Sequence, residues 1–165
     1  MRMVSLVAAA SIMTLAAPAT AQDLEASRKA CSNEGSYSPS QRVAGCTALI
    51  QAAPSPSPAI LNNRAGAYSE QRDYTAAIAD YSEAIRLYPQ FELAFYGRAE
   101  AYRQSKDYAH ATEDYDSAIL LDPKDAYSLF GRGLAKKASG RTAEGEADIA
   151  SATAIDPNIA AAFGY

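Results

Sequence analysis

The side chains with the most reactive chemistry in this chain are few: two cysteines, Cys31 and Cys46, and a single histidine, His110. A thiol nucleophile needs a basic partner, and His110 is remote from both cysteines in sequence. A structural zinc site needs more Cys and His ligands than the chain holds. An even pair of cysteines in an oxidising compartment favours a disulfide, so the Cys31–Cys46 bridge is the leading expectation over a catalytic thiol or a metal ligand. One histidine does not support a Ser, His and Asp set, and no phosphate-binding glycine loop is present. The residues therefore point to a non-catalytic protein, with no metal and no cofactor expected.

A second pattern is periodic. Arg64, Arg98 and Arg132 recur every 34 residues, and Asp80, Asp114 and Asp148 follow each of them at a separation of 16. Three cations and three carboxylates on one period suggest either a binding ladder or an internal device. A guanidinium bonds a carboxylate in bidentate fashion, and residues locked to a repeat period serve the interface between repeats. Ion pairs inside each repeat are the expectation. His110 is expected to be solvated.

These residues need elements to hold them, and the period names the elements. Pro89, Pro123 and Pro157 share the spacing of 34, a size typical of helix-pair repeats that stack into a solenoid. The first helix of each pair is expected to end near Gln71, Ser105 and Ser139. Turns follow at Arg72-Asp73, Lys106-Asp107 and Gly140-Arg141. Along the second helices, Ala77, Tyr81 and Ala84 alternate small, large and small at helical spacing. Ala111, Tyr115 and Ala118 repeat the pattern, and Gly145, Ile149 and Ala152 keep a weaker form.

The motif residues Ala65, Tyr68, Tyr74, Ala77, Tyr81, Ala84 and Pro89 resemble the tetratricopeptide repeat family. Ala99, Tyr102, Tyr108, Ala111, Tyr115, Ala118 and Pro123 form a second copy, and Gly133, Ala152 and Pro157 mark a third. The third departs at Lys136, Thr142, Gly145 and Ile149, which are expected to weaken the last repeat. The resemblance covers residues 59–157 as three repeats, at 59–91, 92–125 and 126–157. It implies an all-α, right-handed superhelical solenoid whose first helices line a concave groove. The groove residues it implies are Asn62 and Ser69, then Leu93, Tyr96, Glu100 and Arg103, then Tyr127, Phe130, Leu134 and Lys137. Members of the family that clamp a terminal carboxylate use Lys, Arg and Asn at the groove floor. Leu93, Tyr96, Gly97, Tyr127 and Phe130 stand there instead, so a peptide with apolar side chains is the expected ligand. Packing of Phe130 and Leu134 between repeats is the competing expectation.

Before the repeats, residues 22–53 form a helical hairpin carrying both cysteines, with a first helix expected at 23–33 and a restart at Ser38-Pro39. The hairpin is similar to the cysteine-paired segment preceding such repeats in some exported bacterial proteins. Residues 54–58, Pro-Ser-Pro-Ser-Pro, cannot continue a helix and read as a linker. Residues 158–165 form a short tail or partial cap, with Phe163 placed to cover the last repeat and the end otherwise open.

Arg2, the apolar residues 3–17, Pro18 and the small Ala19-Thr20-Ala21 have the layout of a secretory signal peptide over residues 1–21. The apolar run is shorter than the roughly 18 residues of a spanning helix; an uncleaved anchor is the alternative. After cleavage no stable membrane insertion is expected, and a periplasmic or secreted location follows. With 15 basic and 19 acidic residues scattered in sequence, no basic stripe for nucleic acid is present. The expected function is protein or peptide binding in the cell envelope. The alternative is a homo-oligomeric scaffold that stacks through an open C-terminal end.

Overall fold

A computed structural model describes residues 20–165. Nearly all of the expected signal segment lies outside the described residues. The chain forms α1 (Ala21–Cys31), α2 (Pro39–Ala52), α3 (Pro58–Glu70), α4 (Tyr74–Leu87), α5 (Glu92–Gln104), α6 (Tyr108–Leu121), α7 (Ala126–Ala138), α8 (Thr142–Ile155) and α9 (Ile159–Ala162). Each helix packs chiefly on its neighbours in sequence, which makes the molecule an all-α solenoid.

The turns inside the pairs share one closure. The amide of Asp73 donates to the Tyr68 carbonyl, that of Asp107 to Tyr102, and that of Arg141 to Lys136, at 2.8–3.0 Å. Arg72 (φ 62°), Lys106 (φ 68°) and Gly140 (φ 90°) occupy the left-handed region that this Schellman closure requires. Asp73 and Asp107 then cap the following helices by accepting from the Ala76 and His110 amides. The first helices end where the sequence predicts.

Packing within and between pairs follows from residue size. Tyr81 lies beneath Gly97 of the next pair, and a Cβ at Gly97 would stand 2.4 Å from its ring. Tyr115 lies beneath Gly131 in the same way, at 2.5 Å. In the third pair Gly133 and Gly145 face each other, and a Cβ on Gly145 would meet the Gly133 carbonyl at 2.5 Å. The absence of a methyl group at Gly133 and at Gly145 lets α7 and α8 approach closely. Lys136, where earlier pairs have tyrosine, donates to Asp148 at 2.8 Å.

The periodic arginines are internal. Arg64 grips Asp80 at 2.7 and 2.8 Å, Arg98 grips Asp114 at 2.7 Å through two bonds, and Arg132 grips Asp148 at 2.8 and 2.7 Å. The remaining nitrogen of each guanidinium reaches back to the preceding pair: to Thr47 on α2, Ser82 on α4 and Asp116 on α6, at 3.2, 2.9 and 2.6 Å. Each arginine therefore joins three helices.

That pattern places the N-terminal hairpin in the stack. Thr47 does for Arg64 what Ser82 does for Arg98, and α2 packs on α3 as α4 packs on α5. The proline-rich stretch acts as a stiff turn into α3, with Pro58 at its first turn. Cys31 and Cys46 are bonded, with Cα atoms 4.7 Å apart. α1 begins two residues earlier than expected, because Thr20 and Asp23 form a capping box. At the other end Ile159 is fully buried against the last pair, so one helical turn covers part of the end expected to be open.

Candidate functional groove

The first helices α3, α5 and α7 form the inner face, and the expected site residues divide on it. Tyr96 on α5 and Tyr127 on α7 stand together, ring centroids 6.3 Å apart and nearly perpendicular. Tyr127 is 47% exposed and Leu93 is 57% exposed, so both present apolar surface to solvent. Glu92, Leu93, Tyr96, Asp125 and Tyr127 enclose a cavity of about 260 Å³. A second cavity of about 220 Å³, lined by Ser69, Glu70, Tyr74, Glu100, Ala101 and Gln104, lies toward α3.

The floor between them is polar and charged. Arg103 donates to Glu100 through two bonds of 3.0 and 2.7 Å, and the Tyr115 hydroxyl donates to the same carboxylate. Burial would lower the Arg103 guanidinium, but the paired Glu100 carboxylate outweighs it and holds the group above its ordinary value. Burial, with the Glu100 charge adding, raises the Tyr96 phenol, and burial raises Tyr115 well above the ordinary value. Both phenols stay neutral at physiological pH, so Tyr115 keeps the proton that it donates to Glu100. Burial also raises the Glu92 carboxyl, with the Asp125 and Asp122 charges acting in the same direction.

Three expected groove residues differ from the others. Asn62 is half-buried on α3, and its Oδ1 is buried without a partner among the described residues. Phe130 is only 3% exposed: it belongs to the core between α7 and α9, where Phe163 covers it with ring centroids 4.8 Å apart. Lys137 turns away from the inner face. Its stem crosses Gly145, and its ammonium lies 3.8 Å from Glu146 on α8.

Residues that sequence reasoning did not place at the site are Glu92, Asp125, Tyr115 and Phe163. The recurrence of Tyr81 and Gly97, and of Tyr115 and Gly131, at one separation of 16 is the signal that would have put Tyr115 under the next first helix. His110 is exposed as expected; it bonds Asp107 at 2.7 Å and stacks on Tyr102. Among the described residues no group of three His, Cys, Asp or Glu converges to hold a metal.

Residues 58–91 and 92–125 each match the profile of the tetratricopeptide repeat. Each of these two segments is similar to that repeat, one helix pair apiece. The α7–α8 pair lies outside both matches yet keeps the helix lengths and the arginine grip of the repeats before it. Among solved structures, MamA from Desulfovibrio magneticus RS-1 superposes with a TM-score of 0.73 at 20% identity, over 85% of this chain and 79% of that one. That share is larger than residues 59–157 alone can supply, so the N-terminal hairpin shares in the likeness. The Arabidopsis OM64 TPR domain superposes at 0.61 with 24% identity, over 62% of this chain and 84% of that one. The first TPR domain of Spaghetti (RPAP3), solved with the HSP90 peptide SRMEEVD, gives 0.61 at 25% identity, over 62% and 81%. No curated protein matches the chain significantly.

Proposed function

We propose that this tetratricopeptide repeat chain is a non-catalytic interaction module of the bacterial cell envelope that holds a peptide or protein segment on its inner face. The observation that carries this reading is the surface made by Leu93 and Tyr127, open to solvent and backed by the half-buried Tyr96, beside a charged floor. Aromatic side chains supply large contact area with few rotatable bonds and dominate binding hot spots. The RPAP3 domain, solved with an HSP90 peptide, supports peptide binding on a related fold. The ligand chemistry differs here. Arg103 is already paired with Glu100, which disfavours a terminal carboxylate as the ligand and favours apolar side chains.

Location in the envelope rests on Arg2, the apolar residues 3–17 and the small residues before Gln22. The Cys31–Cys46 bond suits an oxidising compartment. No described helix is long and apolar enough to cross a membrane. Cleavage after Ala21 is expected, and the intact mass of the exported protein checks it: retention of residues 1–21 would overturn the periplasmic assignment.

The binding reading is tested by capturing partners from a periplasmic extract and measuring their affinity for Tyr96→Ala and Tyr127→Ala. Each substitution should weaken binding by about 1–3 kcal/mol without loss of helicity. A partner whose affinity ignores both would move the site off the inner face.

A further inference from the structure

The segment after α8 begins like a fourth first helix, and its one helical turn closes at Gly164. Ile159 anchors it, fully buried among Leu129, Phe130 and Ala152. Phe163 stands 34 residues after Leu129 and 68 after Phe95, both of which lie in helices of 13 residues. Here the helix runs for four residues. Gly164, at φ 79°, closes it: the Gly164 amide donates to the Ala161 carbonyl at 3.1 Å and the Tyr165 amide to Ala160 at 3.0 Å. This is the Schellman closure of the earlier first helices, brought forward by more than two turns.

Two aromatic side chains at this closure lie on α7. Phe163 packs on Phe130 at 4.8 Å and lies 6.3 Å from Tyr127. The Arg103 guanidinium stands 5.9 Å from its ring centroid. Tyr165 approaches Phe130 edge-on at 6.2 Å yet remains 77% exposed. The segment is thus graded, with a sealed anchor at Ile159, a half-buried ring at Phe163 and an open ring at Tyr165. A single helical turn without a side-chain cap holds the two rings in place, and so short a helix opens at low cost.

We propose that Arg103, Tyr127 and Phe130 form a subsite for an aromatic side chain, that Phe163 fills it in the unbound chain, and that a partner peptide docks by placing a Phe or Tyr there in its stead. This rests on the reading of the inner face as a peptide groove and names the side chain that the groove selects. A cation over one ring face and two rings at the sides favour an aromatic over an aliphatic occupant. The ring of Tyr127, open to solvent and packed on the half-buried Tyr96, adjoins the subsite, so a peptide on that surface can reach it.

The test uses a fluorescent peptide copying residues 158–165, acetylated and amidated, with fluorescence anisotropy against the full chain. The double variant Phe163→Ala, Tyr165→Ala should bind it about tenfold more tightly than the native chain, as expected if Phe163 fills the subsite about nine-tenths of the time. A peptide with alanine in place of its phenylalanine should lose that affinity. Gly164→Pro is the second variant, because proline cannot adopt the positive φ found here; it releases the segment without deleting a ring and should also tighten binding. Equal affinity in native chain and variants, or binding that ignores the peptide's phenylalanine, overturns the proposal. So does unfolding of α7 and α8 in both variants, which would make the segment an integral part of the last repeat. Failure here leaves the groove reading standing if a captured partner still depends on Tyr96 and Tyr127.

Discussion

At the scale of the residue, absent side chains matter as much as present ones. Helix propensity alone ranks alanine above glycine by about 1 kcal/mol in a helix interior, so Gly145→Ala would be expected to stabilise α8. The 2.5 Å approach of a Cβ to the Gly133 carbonyl reverses that expectation. Gly145→Ala should destabilise by about 1–3 kcal/mol, the usual cost of overpacking, read as a lowered thermal midpoint. A neutral or raised midpoint would show that α7 and α8 can part without loss. The buried phenols give a pH effect. Burial pushes Tyr81 up to about 12 from the ordinary 10.0, and Tyr115 rises in the same direction. A raised folded value means that the fold favours the neutral phenol. Its contribution is complete below the unfolded value and is lost as pH rises through the folded one. Denaturant midpoints should therefore fall between pH 10 and about 12, and Tyr81→Phe should flatten that fall. The arginine-to-aspartate pairing was legible from spacing alone, because both partners share one period. Their third bonds were not, since Thr47, Ser82 and Asp116 are different residue types at a position the motif does not constrain.

At the scale of the element, the pairs are set by their turns. Lys106 holds a left-handed backbone at φ 68° that costs an L-residue about 1–2 kcal/mol, while Gly140 meets the same demand freely. Lys106→Gly should stabilise by about 0.5–1 kcal/mol, part of the gain being offset by the greater freedom of glycine in the unfolded chain. Chemical denaturation measures it, and a loss of stability would show that the lysine side chain contributes more than its backbone costs. α1 presents another case. Its N-cap, Thr20, lies on the far side of the expected cleavage point, so the exported chain should begin with a frayed first turn. Amide exchange at residues 23–25 should be fast in exported protein and slowed in a version retaining Thr20. The hairpin motif was visible in the sequence, but its place in the stack was not. Proline and serine at 54–58 signal a break in the helix and say nothing of the angle across it; that angle depends on the bond from Thr47 to Arg64 and on packing against α3.

At the scale of the whole molecule, the disulfide acts at one end of a stack whose described helices pack chiefly on their neighbours in sequence. Closing a loop of this size contributes roughly 3 kcal/mol in the chain-entropy model. In a repeat array, stability is close to a sum of units and interfaces, so reduction should loosen α1 to α3 and leave α7 and α8 nearly unchanged. Hydrogen exchange with and without reductant would show it, and uniform loosening would mean that the stack unfolds as one unit. The solenoid was readable from period and residue size. On the inner face Tyr96 and Tyr127 stand together, a short segment after α8 covers Phe130, and Gly145 gives Lys137 a path to α8; the last two placements depend on contacts that the repeat pattern does not encode.

The arginine grip and the tyrosine under glycine run in opposite senses along the solenoid. Each guanidinium reaches back to the pair before it, whereas Tyr81 and Tyr115 are each covered by the pair after. The stack therefore has a direction, and its two ends are not equivalent when shortened. Removal of the hairpin would strip Arg64 of its Thr47 bond and leave a polar vacancy that water can fill. Removal of α7 to α9 would uncover the ring of Tyr115, an apolar face that water cannot satisfy. Loss from the front should yield a soluble, loosened protein, and loss from the back a sticky one.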